Sequence, residues 1–147
     1  MIQIREIREG DKQAWLNLWR GYIDFYHADI PEIQNELTWT RLHDSDFNIH
    51  GLVAEEDGEV CGIVHYSFQT STWAAHNYCY LEDVFVDPAL RGSGAGRALI
   101  DAVRVIAEKA GSSRLYWSTE KTNETARKLY DSYTPESGFV QYRIPLN

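Results

Sequence analysis

The stretch from Tyr78 to Ala110 constrains the chain most. Its first part reads Tyr-Cys-Tyr-Leu-Glu-Asp-Val-Phe-Val, rich in β-branched and aromatic residues, and predicts a strand. Asp87-Pro88 ends it, because Pro88 has no amide for a ladder. Gly92, Gly94 and Gly96 follow as a short loop. Leu99, Ala102, Val103, Ile106 and Ala110 then recur at helical spacing, and Gly111 stands where a helix stops.

A strand, a glycine loop and a helix start form a device for holding phosphate. The first amides of a helix have no internal partner, and the dipole there is positive. Glycines let the backbone close on an anion with no Cβ in the way. Arg91 and Arg97 flank the loop and add fixed charge. The third glycine comes one position too early for the dinucleotide fingerprint G-x-G-x-x-G. Gly96 is followed by Arg97-Ala98, so the nucleoside-triphosphate signature is missing too. What remains is Arg91-x-x-Gly94-x-Gly96, with a phosphorylated ligand as the expectation.

At 147 residues the chain is expected to be a single domain, 1–147, with its own core. No apolar run reaches membrane-spanning length, and Met1-Ile2-Gln3-Ile4-Arg5 lacks the layout of a signal peptide, so a cytoplasmic protein with no membrane partner is expected. Cys61 and Cys79 fit a reducing compartment as buried free thiols on two neighbouring strands. No Cys/His cluster has metal spacing, so no metal is expected. A formal net charge of −8 argues against nucleic acid as a partner and mildly favours a cationic substrate.

The remaining elements follow in order. Ile2 to Glu6 reads as a strand, and Asp11 as the N-cap of a helix. That helix carries the apolar stripe Trp15, Leu18, Trp19, Tyr22, Phe25 and Tyr26. Its end, with Tyr26 and Asp29, is either simple packing or the rim of an amine pocket. Glu32 to His43 reads as a shorter helix with Leu37, Trp39 and Leu42 turned inward. Gly51–Glu56 and Glu59–Phe68 read as a hairpin closed by Asp57-Gly58, which supplies the positive φ values a tight turn needs. A strand from Arg114 to Thr119, a helix from Thr125 to Tyr133 and a last strand from Phe139 to Ile144 complete the chain. The fold class is α/β: a mixed, mostly antiparallel sheet with helices on both faces.

This order resembles the GCN5-related N-acetyltransferase superfamily across nearly the whole chain. Tyr80-Leu81-Glu82-Asp83-Val84-Phe85-Val86 looks like the central strand of the diamine and thialysine acetyltransferases and of the yeast histone/polyamine group. Arg91-x-x-Gly94-x-Gly96 is similar to the family's coenzyme A loop. Asn123-x-x-Ala126-x-x-x-Tyr130 is similar to its late helix. One departure stands out: Asp131 to Ser137 intervenes before Gly138-Phe139, lengthening the family's usual spacing.

The resemblance implies acetyl transfer from acetyl-CoA to a primary amine of a polyamine, a lysine-like amino acid or a protein, by direct attack. Arg91, Gly92, Ser93, Gly94, Ala95, Gly96 and Arg97 would hold the pyrophosphate. Val84, Phe85 and Val86 would pair with the pantetheine arm, and Asn123 and Ala126 would line it. Tyr130 would be the general acid beside the sulfur. Glu82 would be the general base, facing with Tyr80 and Val84 while Asp83 faces away. Glu82, Tyr26 and Asp29 would meet the amine. The family often dimerises, so a homodimer is a further expectation. The alternative is a non-catalytic acyl-CoA-binding module, which keeps the loop but has no use for Glu82 or Tyr130.

Overall fold

The computed structural model describes residues 1–147. The chain forms two compact units, Met1–Trp117 and Ser118–Asn147. The first contains β1 (Gln3–Glu6), α1 (Lys12–Phe25), α2 (Glu32–Leu42), β2 (His50–Glu56), β3 (Glu59–Gln69), β4 (Tyr78–Val86), α3 (Ala95–Lys109) and β5 (Leu115–Tyr116). Short 3-10 turns at Glu9–Asp11 and Pro88–Leu90 lead into α1 and the glycine loop. The second unit contains α4 (Glu124–Asp131).

The sheet runs in the order β1-β2-β3-β4-β5. The first four strands pair antiparallel, and β5 lies parallel to β4. The β2–β3 turn is built as its sequence demands, with positive φ at both Asp57 and Gly58. Val53, Ile63 and Phe85 form one cross-strand row, and Trp15, Leu18, Trp19 and Ile23 of α1 pack against it. The neighbouring row is Ala54, Gly62 and Val86. A Cβ at Gly62 would stand 3.2 Å from Leu99 Cδ1, so α3 lies close against this second face. Leu99, Ile100, Val103 and Ala107 are its buried stripe. The two helices thus cover opposite faces, because neighbouring strand residues point opposite ways.

α2 is tied to α1 by polar groups as well as by packing. Trp19 Nε1–H donates to Asn35 Oδ1 at 2.9 Å, and Asn35 is buried. Trp39 lies against Trp15 with ring centroids 5.3 Å apart, and Leu42 joins the same cluster. Leu37, expected inside, is exposed; Asn35 takes the inward position one turn before Trp39 because it satisfies the Trp19 indole.

Three further expectations need correction. Asp11 begins α1, but its side chain makes no cap bond to the helix. Its carboxylate accepts from Arg5 Nη1 and Nη2, at 2.8 and 3.0 Å, and from the Arg8 amide at 2.7 Å. The strand expected at Arg114–Thr119 is only Leu115–Tyr116, since pairing with β4 covers just Cys79–Leu115 and Tyr80–Tyr116. The strand expected at Phe139–Ile144 does not form. Alternation alone gives a strand no partner, and Phe139, Val140, Tyr142 and Ile144 are all exposed.

Candidate active site

The site begins with a fault in a strand. Tyr66 of β3 pairs with Leu81, and the next residue, His65, pairs with Asp83. Glu82 is therefore an extra residue, a β-bulge on β4. The bulge resets the alternation. Cys79 and Leu81 lie on the α3 face with Val84, while Tyr80 lies on the α1 face with Asp83 and Phe85. The expected grouping of Glu82 with Tyr80 and Val84 is thus corrected: those two residues lie on opposite faces. Glu82 is surface-accessible, whereas Leu81 beside it is buried. Desolvation by surrounding protein, and then the charge of Asp83, push its pKa above the ordinary glutamate value.

The same strand has an open edge. On its far side β4 pairs with β5 only at Cys79 and Tyr80, so the backbone of Val84, Phe85 and Val86 faces no strand there. An extended chain can add to such an edge through main-chain hydrogen bonds.

Beyond the edge lies the glycine loop. Asp87 Oδ1 accepts from the Ala89 amide at 2.9 Å and fixes the turn that leaves β4. Gly92 and Gly94 have φ of 88° and 91°, and a Cβ on either would meet no atom within 4 Å. They thus leave a backbone cradle open on its outer side. Gly96, expected in the loop, is already helical: α3 starts at Ala95, and its first bond runs from Ala98 N–H to Gly94 C=O at 3.0 Å. Ser93 Oγ accepts from the Ala95 amide at 3.4 Å. Arg91, Gly92, Ser93, Gly94 and Arg97 are exposed around this helix start, where a phosphate group is electrostatically welcome. The Arg91 guanidinium lies 5.9 and 5.8 Å from the Phe25 and Phe85 ring centroids. These residues also border a cavity of about 310 Å³. A larger recess, about 450 Å³, sits at the opposite end of β4 near Asn77 and His76 and touches none of the expected site residues.

Tyr26 ends α1, its ring 5.0 Å from that of Tyr22. Asp29 is exposed in the link to α2. The remaining expected residues lie in the second unit. Asn123 caps α4, its Oδ1 accepting from the Ala126 amide at 3.3 Å. Ala126 and Tyr130 are half-buried, one turn apart on that helix. The structure thus brings Glu82, Val84–Val86 and residues 91–97 together along one strand and its following loop. Sequence reasoning missed His65, which is buried on β3 opposite Asp83 and bonded to it.

Known proteins resemble this chain in sequence and in fold. The profile of the acetyltransferase (GNAT) family matches residues 8–133. The thialysine N-epsilon-acetyltransferase of Bos taurus is 35% identical over 139 residues, covering 88% of this chain and 81% of that protein. The D-amino-acid N-acetyltransferase of Saccharomyces cerevisiae is 29% identical over 144 residues, covering 97% and 89%. Among solved structures, a ribosomal-protein-alanine N-acetyltransferase from Brucella melitensis superposes with a TM-score of 0.82 at 21% identity, over 99% of both chains. The chain belongs to the acetyltransferase (GNAT) family. It is an acetyl-CoA-dependent acetyltransferase.

Proposed function

We propose that this protein transfers an acetyl group from acetyl-CoA to a primary amine of a small cationic molecule, a polyamine or lysine-like amino acid, with a protein amine as the wider class. The observation that carries the reading is the bulge at Glu82. It sets a carboxylate of raised pKa beside the open edge of β4, on the strand that leads into the glycine cradle. The names of the relatives, a thialysine and a D-amino-acid N-acetyltransferase, support a small amine-bearing substrate.

Each residue has a task in this reading. The amides from Gly92 to Arg97, with the Arg91 and Arg97 charges, hold the pyrophosphate of the cosubstrate. The main chain of Val84, Phe85 and Val86 pairs with the pantetheine arm, and Asn123 and Ala126 line it. Glu82 accepts a proton from the ammonium, directly or through water, and its raised pKa suits it to that task. Tyr130 gives a proton to the departing thiolate. Tyr26 and Asp29 form the substrate rim. Attack is direct: Cys61 and Cys79 are buried, and burial holds both thiols above their ordinary pKa, Cys79 at about 11. Neither is a ready acyl acceptor.

The test is a panel of amines, including spermidine, lysine, thialysine, aromatic amines and a histone-tail peptide, read by release of free thiol from acetyl-CoA. Amine-dependent release with at least one cationic member is expected. Coenzyme A binding by calorimetry with no amine-dependent release anywhere in the panel would overturn the proposed amine class and place the acetyl acceptor elsewhere.

A further inference from the structure

Behind the bulge runs a buried chain of polar groups. Trp15 and His65 are 0% and 3% exposed. Trp15 Nε1–H donates to His65 Nε2 at 2.9 Å. An indole nitrogen has only a proton to give, so Nε2 must accept, and the proton of the neutral ring sits on Nδ1. That nitrogen faces Asp83 Oδ2 at 3.0 Å. Asp83 in turn meets the Tyr22 hydroxyl, and Tyr22 meets Tyr26; burial first, then the Asp83 charge, raises the Tyr22 pKa. The chain thus runs from the core, through Trp15, His65, Asp83 and Tyr22, to half-buried Tyr26. It spans α1, β3 and β4.

We infer that His65 is a positioning residue: held in the Nδ1–H tautomer by Trp15, it fixes the Asp83 carboxylate beside Glu82 as a second anion for the cationic end of the substrate. The inference rests on the amine-acetyltransferase reading. A carboxylate with a side chain only 13% exposed needs hydrogen-bond partners from the protein. The Nδ1–H and the phenol supply two such bonds. The bulge makes the arrangement possible. Without the extra residue, Asp83 would point to the α3 face and never meet His65. The groups that face His65 are Trp15, Trp19 (ring centroids 5.2 Å apart), Asp83 and, within electrostatic reach, Glu82.

A core histidine that merely stabilises the fold would move a different set of measurements. The first is the pair of ring-nitrogen resonances of His65 in the intact protein, which report the tautomer directly. A protonated Nδ1 with a bare Nε2 is expected in the neutral ring, and the opposite tautomer overturns the inference. Addition of spermidine or thialysine is expected to shift these resonances, with or without turnover. Kinetics supply the second measurement. A charge-assisted hydrogen bond is worth roughly tenfold or more in binding. His65→Leu is therefore expected to raise KM for the cationic amine about tenfold while leaving KM for acetyl-CoA within about twofold. His65→Asn keeps an N–H for Asp83 and a carbonyl for Trp15, and is expected to recover most of the loss. Should His65→Leu not fold, Trp15→Phe gives the same split more weakly, with a scrambled tautomer. Parallel changes in both KM values, or a fall in melting temperature with no KM change, refute the positioning role. If the wild-type protein acetylates no amine, the functional reading fails; if it does and His65 resonances ignore the amine, only this inference fails.

Discussion

A carboxylate that must take a proton from an alkylammonium works better when it resists staying charged. Glu82 meets that condition because protein crowds it and Asp83 repels its charge. The acid limb of the kcat profile is therefore expected at a pH above the ordinary carboxylate range. Glu82→Gln should remove that limb and lower kcat by about 100-fold or more. An unchanged limb in the variant would move the base elsewhere. A second carboxylate behaves in the opposite sense. The Arg5 guanidinium, helped by the Arg8 amide, holds Asp11 below its ordinary pKa against the effect of burial. A lowered folded pKa means the stabilisation is complete at neutral pH. It is lost as pH falls through the usual aspartate range and then through the lower folded value. Asp11→Asn is thus expected to cost about 2 kcal/mol near pH 7, and progressively less below about pH 4. Denaturant melts of both proteins across that range give the comparison, and a pH-independent gap would rule out the charge as its source.

The strand, loop and helix from Tyr78 to Lys109 hold two glycines with opposite conformational needs. Gly94 sits at φ 91° with open space around it, so alanine there suffers backbone strain rather than a clash. The expected cost is about 1–2 kcal/mol, read as a lower melting temperature. Gly96 lies in the first turn of α3, where alanine favours the helix by about 1 kcal/mol. If the amides at this helix start bind the pyrophosphate as proposed, a methyl among them should cost affinity, so Gly96→Ala should melt higher yet bind coenzyme A more weakly by calorimetry. Wild-type affinity in that variant would displace the cradle from this helix start. This element is legible in the sequence because its signals are local: Pro88 ends a strand, Gly92 and Gly94 mark the loop, and Leu99 to Val103 keep helical spacing. Asp57-Gly58 announced its hairpin for the same reason. The bulge was not readable. It leaves only a step of three between Leu81 and Val84 where two was expected, and which pairing wins depends on β3. His65 read as one more strand residue, since its partners lie 50 and 18 positions away. The strand expected from Phe139 to Ile144 does not form, because a ladder partner is a property of the fold and not of the segment.

At the scale of the whole chain, a formal charge of −8 acts on both substrates, with opposite signs. A polyamine is drawn toward the protein, whereas acetyl-CoA, itself a polyanion, is repelled everywhere except near the positive start of α3 and its flanking Arg91 and Arg97. Salt shortens the reach of both effects to about 8 Å at 0.15 M. The local contacts at the cradle survive that screening better than the long-range repulsion does. Raising salt from low to moderate ionic strength should therefore raise KM for spermidine severalfold while leaving KM for acetyl-CoA flat or lower. A zwitterionic amino acid, with no net charge to steer, should show little dependence. Initial rates over a salt series, with each substrate varied in turn, decide the matter. A rise in both KM values with salt would mean that the acidic surface plays no part in choosing the amine, and that selection rests on Glu82 and its immediate neighbours alone.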